Sequence, residues 1–220
     1  MRKILLVGTA AVGLFGAPLS AHAADCVIAP VATYTATGFS CSVDGVTFSN
    51  IHVNPITTGT GQVTLGNFTP FQVTVNGVLE SGLSLNYLAS ATAGSTADVA
   101  WTYNVSGNLL NDAYLSLSAT DFLNATSGVN EVLSNNAVLN LLAAGTTTAT
   151  FAPIGSLFVT KDQVNSGNNG TAQASILTNA FSVTTVTPIP GPIVGAGLPG
   201  LIAACGGLLA LARRRRQQRA

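Results

Sequence analysis

Along most of the chain, apolar and polar residues change places at every step. Phe71, Val73 and Val75 alternate with Gln72 and Thr74, and Leu83, Leu85 and Tyr87 alternate with Ser84 and Asn86. The sharpest run sets Val99, Trp101, Tyr103 and Val105 against Asp98, Thr102, Asn104 and Ser106, and Leu115 and Leu117 repeat the pattern against Ser116 and Ser118. A period of two sends successive side chains to opposite faces, so each run predicts a strand with one face in a core and one in water. Asn76-Gly77 between two such runs predicts a type I′ hairpin turn. Further strands are predicted over 46–53, 156–160, 171–177 and 180–186. In the first of these the apolar residues move from even to odd positions between Phe48 and Ile51, which predicts a bulge. Over 131–144 the pattern fits strand and short helix equally, although Asn135, Asn136 and Asn140 disfavour a helix. Residues 165–170 read as a polar loop, and no repeat of fixed period is present. Short strands about ten residues apart, rich in Thr, Val, Tyr and Phe, predict an all-β, antiparallel β-sandwich or jelly roll.

Both ends break this pattern. Arg2 and Lys3 precede an apolar run over 4–19 and the A-x-A site Ala21-His22-Ala23, the layout of a secretory signal peptide over 1–23. The acidic Asp25 directly before Cys26 argues against lipidation of that cysteine. At the other end, Pro188-Ile189-Pro190-Gly191-Pro192 leads into an uncharged apolar stretch over 193–212, followed by Arg213, Arg214, Arg215 and Arg216. At ~1.5 Å rise per residue such a stretch matches a hydrocarbon core of ~30 Å. One transmembrane helix is therefore expected, kinked near Pro199, with its basic flank and the C-terminus in the cytoplasm. Gly195 to Gly200 also fits G-x-G-x-x-G, but a dinucleotide site needs a preceding strand and a following acid, and here prolines precede and arginines follow.

The order of proline motif, apolar helix, arginine cluster and chain end resembles the bacterial PEP-CTERM sorting signals. It is carried by Pro188, Pro190 and Pro192, by 195–211, and by Arg213 to Arg216; Pro-Ile-Pro-Gly-Pro stands where such tails usually have Pro-Glu-Pro. The resemblance implies delivery by exosortase-type machinery to the cell surface or an extracellular matrix, through a membrane-anchored precursor. It covers only residues 188–220 and implies nothing about activity. Cys26, Gly38-Phe39-Ser40-Cys41 and Phe48-Ser49-Asn50 are also similar to the start of exported β-rich proteins with such tails. The expected division is 1–23 signal peptide, 24–187 β-sandwich domain and 188–220 sorting segment.

Charge sharpens the picture of the middle span. The chain has eight basic and eight acidic residues, but seven of the basic ones lie in the two end segments. From 24 to 190 there is one lysine, Lys161, against all eight acids, a net charge of −7. Such a surface repels phosphate backbones and excludes nucleic acid as a partner. Thr, Ser, Asn and Gln must cover it, as suits a protein in a polysaccharide-rich matrix. A span of this length can bury about 70% of its unfolded surface. Cys26 and Cys41 are its two cysteines, and in an oxidising compartment a disulfide is the leading reading; free thiols or a metal pair are the alternatives.

Little in the sequence points to catalysis, and a non-enzymatic domain without cofactor is expected. A Ser-His-Asp triad would have to use His52, and no G-x-S-x-G elbow accompanies it. A Ser-Lys dyad would need Lys161, which beside Asp162 reads as a solvated charge. One histidine cannot furnish a zinc set. Asp162, Asn165, Asn168 and Asn169 crowd oxygen atoms into 162–170, but their spacing departs from the EF-hand pattern, so calcium there competes with a plain hydrated turn. The expectation is thus an exported structural or adhesive protein. The alternative is a carbohydrate-binding or glycoside-hydrolysing jelly roll with extracellular polysaccharide as its partner, which would need two carboxyls ~5–9.5 Å apart in an aromatic-lined groove.

Overall fold

The computed structural model describes residues 23–184, which belong to one compact unit. The expected signal peptide except for Ala23, together with Pro188, Pro190, Pro192, the stretch 193–212 and Arg213 to Arg216, lies outside the described residues. No described helix is long and apolar enough to cross a membrane.

The fold is all-β. Its elements are β1 (Ala24–Asp25), β2 (Ala29–Pro30), the single-turn α1 (Val31–Tyr34), β3 (Ser40–Val43), β4 (Val46–Thr58), β5 (Gln62–Val75), β6 (Val78–Ala91), β7 (Thr96–Phe122), β8 (Thr126–Leu133), β9 (Val138–Leu141), β10 (Gly145–Ser166) and β11 (Thr171–Val183). All pairings are antiparallel except β1 with β3. The eleven strands are hydrogen-bonded into one sheet, and two of them are long enough to serve two layers. Residues 96–106 of β7 pair with β4 on one side and with residues 156–166 of β10 on the other; β8 and β9 continue that layer. Residues 110–122 of β7 pair with β11 and with residues 145–150 of β10; β6, β5 and β2 continue the second layer. Between the two halves, Leu109 takes a positive φ of 61°, and the β10 register slips between Thr150 and Ser156. At these bends the sheet folds over on itself into a sandwich-like body.

The core is what the alternation marks. Val99, Trp101, Tyr103 and Val105 are fully buried, as are Leu83, Leu85 and Leu115, with Leu117 and Tyr87 nearly so. Phe68 of one layer meets Trp101 of the other at 5.1 Å between ring centroids, and Trp101 meets Tyr103 at 5.0 Å. Asn76 and Gly77 both have positive φ, 51° and 83°, as a type I′ turn between β5 and β6 requires. The bulge in β4 falls between Ser49 and His52, with Asn50 at φ 52°.

Four expectations change. The runs 99–105 and 115–117 belong to one strand: the ladder lapses at 107–109, where the chain bends, and resumes from Leu110. The predicted break between 177 and 180 is absent, and β11 is continuous with a register shift at Ala174/Ile176 instead. The ambiguous stretch 131–144 is strand: β8 runs to Leu133, Asn136 at φ 69° turns the chain, and β9 returns. Asn165 and Ser166 belong to β10 rather than to a loop.

Cys26 and Cys41 are joined, with sulfurs at 2.14 Å and α-carbons at 4.8 Å. The bond ties the segment after β1 to β3 beside β4, whose Val46 and Phe48 are buried. Closing this short loop restricts the unfolded chain, so replacing both cysteines by serine is expected to cost ~3 kcal/mol, read as a lower urea midpoint with a somewhat steeper slope as the freed unfolded chain exposes more surface.

Candidate functional site

The inward residues of β10 are Leu157, Val159, Lys161, Gln163 and Asn165, all buried. The apolar-in phase of the strand thus continues through three polar residues. This overturns the solvated reading of Lys161. Its side chain is 0% exposed because the strand ladder, registered on β7 and β8, carries odd positions into the core. The neighbouring Asp162 and Val164 face outward.

Register places Lys161 between Trp101 on β7 and Glu131 on β8. The Lys161 Nζ donates to Glu131 Oε2 at 2.5 Å, the one ion pair among the described residues. It also sits 4.8 Å from the Trp101 ring centroid and 5.4 Å from that of Tyr103. Both rings present π faces to a desolvated cation. From the opposite layer, Asn179 on β11 completes the cluster. Its Nδ2 donates to Glu131 Oε1 at 3.2 Å and to the Tyr114 carbonyl at 2.6 Å, and its Oδ1 accepts from the Tyr103 hydroxyl. A side chain at Gly82 would come within 2.0 Å of the Asn179 carbonyl, so the absence of one lets β6 pass close by. Tyr103, Glu131, Lys161 and Asn179 are all 0% exposed.

Removal from water disfavours every charged form here. Burial pushes the Glu131 carboxyl above its ordinary value, against the pull of Lys161 and the hydrogen bond from Asn179. Burial likewise draws Lys161 down, against the pull of Glu131. Tyr103 is raised by burial and by the Glu131 charge. Burial thus works against the charged forms of both partners, while their mutual attraction and hydrogen bond work for them. Below it, Gln163 Nε2 donates to Asn165 Oδ1 at 2.8 Å and Asn165 Nδ2 donates to the Ala89 carbonyl at 2.9 Å. Gln163 Oε1 and Trp101 Nε1 are buried without a partner.

The other candidates are scattered. His52 is exposed on the outer side of β4, opposite Thr102. The proposed calcium ligands do not converge: Asp162 faces outward, Asn165 faces the core, and Asn168 is engaged by Ser166 and by the Asn124 carbonyl. Among the described residues no three His, Cys, Asp or Glu side chains are grouped for a metal. A cleft of about 450 Å³ beside the disulfide is lined by Asp25, Asp44, Phe71 and Gln72 among others, and is open to solvent. Glu131 and Asn179 escaped the sequence reading. The signal that could have exposed the cluster is Lys161 in phase with Leu157 and Val159, the only lysine of its span.

A second buried acid lies on β6. Burial first, and then the nearby Asp112, hold the Glu80 carboxyl up at about 8, and its Oε2 has no partner. A carboxyl raised in the fold keeps a proton that the unfolded chain has released. Its contribution is intact below the unfolded value of 4.5 and is lost as pH rises through about 8. Stability is expected to fall across that window by up to ~1.4 kcal/mol per pH unit. Urea midpoints measured against pH should show the slope, and Glu80→Gln should flatten it.

What the fold and cluster define is an all-β, disulfide-tied body with a buried Lys–Glu–Asn constellation bridging its two layers. No family model matches the sequence and no curated protein matches it. Several solved structures are weakly similar, all at low identity. The enzymatically active domain of bacteriophage CBA120 tailspike protein 4 aligns at 14% identity and a TM-score of 0.29, over 60% of this chain and 19% of that one. The carbohydrate-binding module CBM36 in complex with calcium and xylotriose aligns at 11% identity and 0.23, over 59% and 99%. The family 11 carbohydrate-binding module of cellulase Lic26A-Cel5E of Clostridium thermocellum aligns at 10% identity and 0.22, over 60% and 88%.

Proposed function

We propose that this chain is an exported, non-enzymatic β-sandwich protein of the cell surface or extracellular matrix, with a structural or adhesive role. In this reading it is delivered through its PEP-CTERM-like tail. The observation that carries the proposal is the surface. The only lysine of residues 24–190 is buried, so the described body displays carboxylates, Thr, Ser and Asn and no lysine or arginine at all. Such a coat is compatible with a hydrated polysaccharide milieu and hostile to polyanions. Between two basic-ended apolar termini it reads as cargo between address segments. The acids support catalysis less well. Asp98 with Asp162, and Glu80 with Asp112, are close enough to influence one another. The hollow that includes Asp162 is lined by Gly128, Val129, Asn130, Asn140, Leu141, Leu142 and Val164, without an aromatic ring on which a sugar could stack.

The test is fractionation of the producing cell followed by intact-mass analysis. A mature chain starting at Ala24 and ending within 188–195, found outside the membrane, supports sorting and processing. A chain retaining Arg213 to Arg216 in the membrane fraction overturns processing and leaves a simple anchor. Release of reducing sugar from matrix polymers by the purified protein would favour the glycoside-hydrolysing alternative.

A further inference from the structure

We propose that Lys161 and Asn179 join spontaneously in an intramolecular isopeptide bond, promoted by Glu131, that staples one layer of the sandwich to the other. The three side chains come from β10, β11 and β8, and one carboxylate holds the other two, an oxygen on each: Oε2 with the lysine Nζ, Oε1 with the asparagine Nδ2. Amine and carboxamide are thus both held by the two oxygens of one acid, in a site closed to water, with all three side chains 0% exposed. Effective concentrations in such a site far exceed those of free reactants, which is what an otherwise sluggish amide exchange requires.

The reaction balances without any co-reactant. The proton of the ion pair passes from Lys161 Nζ to Glu131, leaving a neutral amine with a free lone pair. Nζ adds to Cγ of Asn179, and the Tyr103 hydroxyl, already donating to Asn179 Oδ1, stabilises the negative charge that develops on that oxygen. Glu131 takes the proton that Nζ sheds through Oε2 and delivers one to Nδ2 through Oε1. The Cγ–Nδ2 bond then breaks, ammonia leaves, and the Nζ–Cγ amide remains beside Glu131 as the neutral acid, which keeps one of the two protons Nζ has shed while the other departs with the ammonia. The burial that lifts the glutamate and lowers the lysine eases that first proton transfer. Trp101 and Tyr103 flank the amine and keep water from competing for Cγ. The product replaces a costly buried ion pair by a neutral amide. It also spans the layers between β10 and β11, where the backbone ladder supplies no direct pairing.

The test is peptide mapping of the full chain as the cell delivers it, folded and then reduced. Digestion with a protease that does not act at lysine should yield one linked peptide containing both Lys161 and Asn179, lighter than its two parts by the mass of one ammonia. The intact chain should be lighter by the same amount, but the linked peptide decides, since Asn76-Gly77 and Asn169-Gly170 can also shed ammonia by cyclising. Trypsin should fail to cut after Lys161. Lys161→Met and Asn179→Ala should each abolish the linked peptide, and Glu131→Gln should slow its formation by at least ~100-fold, the usual worth of a positioned acid–base group. Folded wild-type protein with Lys161 and Asn179 in separate peptides overturns the proposal whatever the variants do. Loss of water rather than ammonia, with the link at Glu131, overturns it equally. Cross-linking of Glu131→Gln at the wild-type rate overturns the role given to Glu131.

Discussion

Replacing Glu131 by alanine is expected to destabilise the fold by about 3–5 kcal/mol, the range for removing one partner of a buried ion pair. The reason is desolvation rather than the loss of attraction. Lys161 would be left 0% exposed with two aromatic rings for company and no acceptor for its protons. Asn179 would keep the Tyr114 carbonyl for its Nδ2 but lose the carboxylate. The amine can escape charge by losing its proton, which it already does more readily than an exposed lysine, so the loss should be smaller in alkali and larger near neutrality. Pairing Glu131→Leu with Lys161→Met should recover most of the loss, because two apolar residues of similar volume need no solvation. Urea unfolding followed by far-ultraviolet circular dichroism separates these cases. A Glu131→Ala protein within 1 kcal/mol (about the worth of an exposed pair) of the wild type would mean that water reaches the cluster.

The runs that proved easiest to read are those in which alternation was uninterrupted. Val99 to Val105 is central in its layer and sits on an inner face crowded with rings, so polar residues occur there only on the outward phase. The length of β7 and β10 was illegible because a strand that changes layers has no turn residue to mark the change. Gly107-Asn108-Leu109 looks like a loop and instead carries a bend with the ladder resumed beyond it. At Lys161 two local cues conflicted. The adjacent Asp162 and the Asn- and Gly-rich residues after it suggested solvent, whereas the phase set by Leu157 and Val159 pointed inward, and phase prevailed because the strand is paired on both sides. Glu131 lay in the stretch whose period fits two structures, and Asn179 fell at an imagined break between two strands. Partnership across layers depends on which strands fold over which, and no local pattern of one strand encodes that. Cys26 with Cys41 was legible because they are the two cysteines of the span 24–187 and allow a single pairing there.

Trp101→Ala is expected to cost about 3–5 kcal/mol through the cavity it leaves. The indole is the largest fully buried side chain and stands where the two layers meet, against Phe68 at 5.1 Å and Tyr103 at 5.0 Å, with Lys161 Nζ over its face. Neighbours cannot collapse into so central a void, since they are held in register on β4 and β10 on either side. Two effects should then compound. The rings lose packing, and the lysine loses both a π face and the wall that excludes water. Trp101→Phe separates them: it keeps a π face and most of the volume and removes the buried indole N–H, which has no partner, so it should cost well under half as much. Because Trp101 is the sole tryptophan, unfolding of these variants is best followed by circular dichroism, while the wild-type emission reports directly on the core. If alanine and phenylalanine at this position cost the same, the loss comes from the indole itself rather than from the space and the cation beside it, and the central packing of Trp101 against Phe68 would not be what holds the layers together.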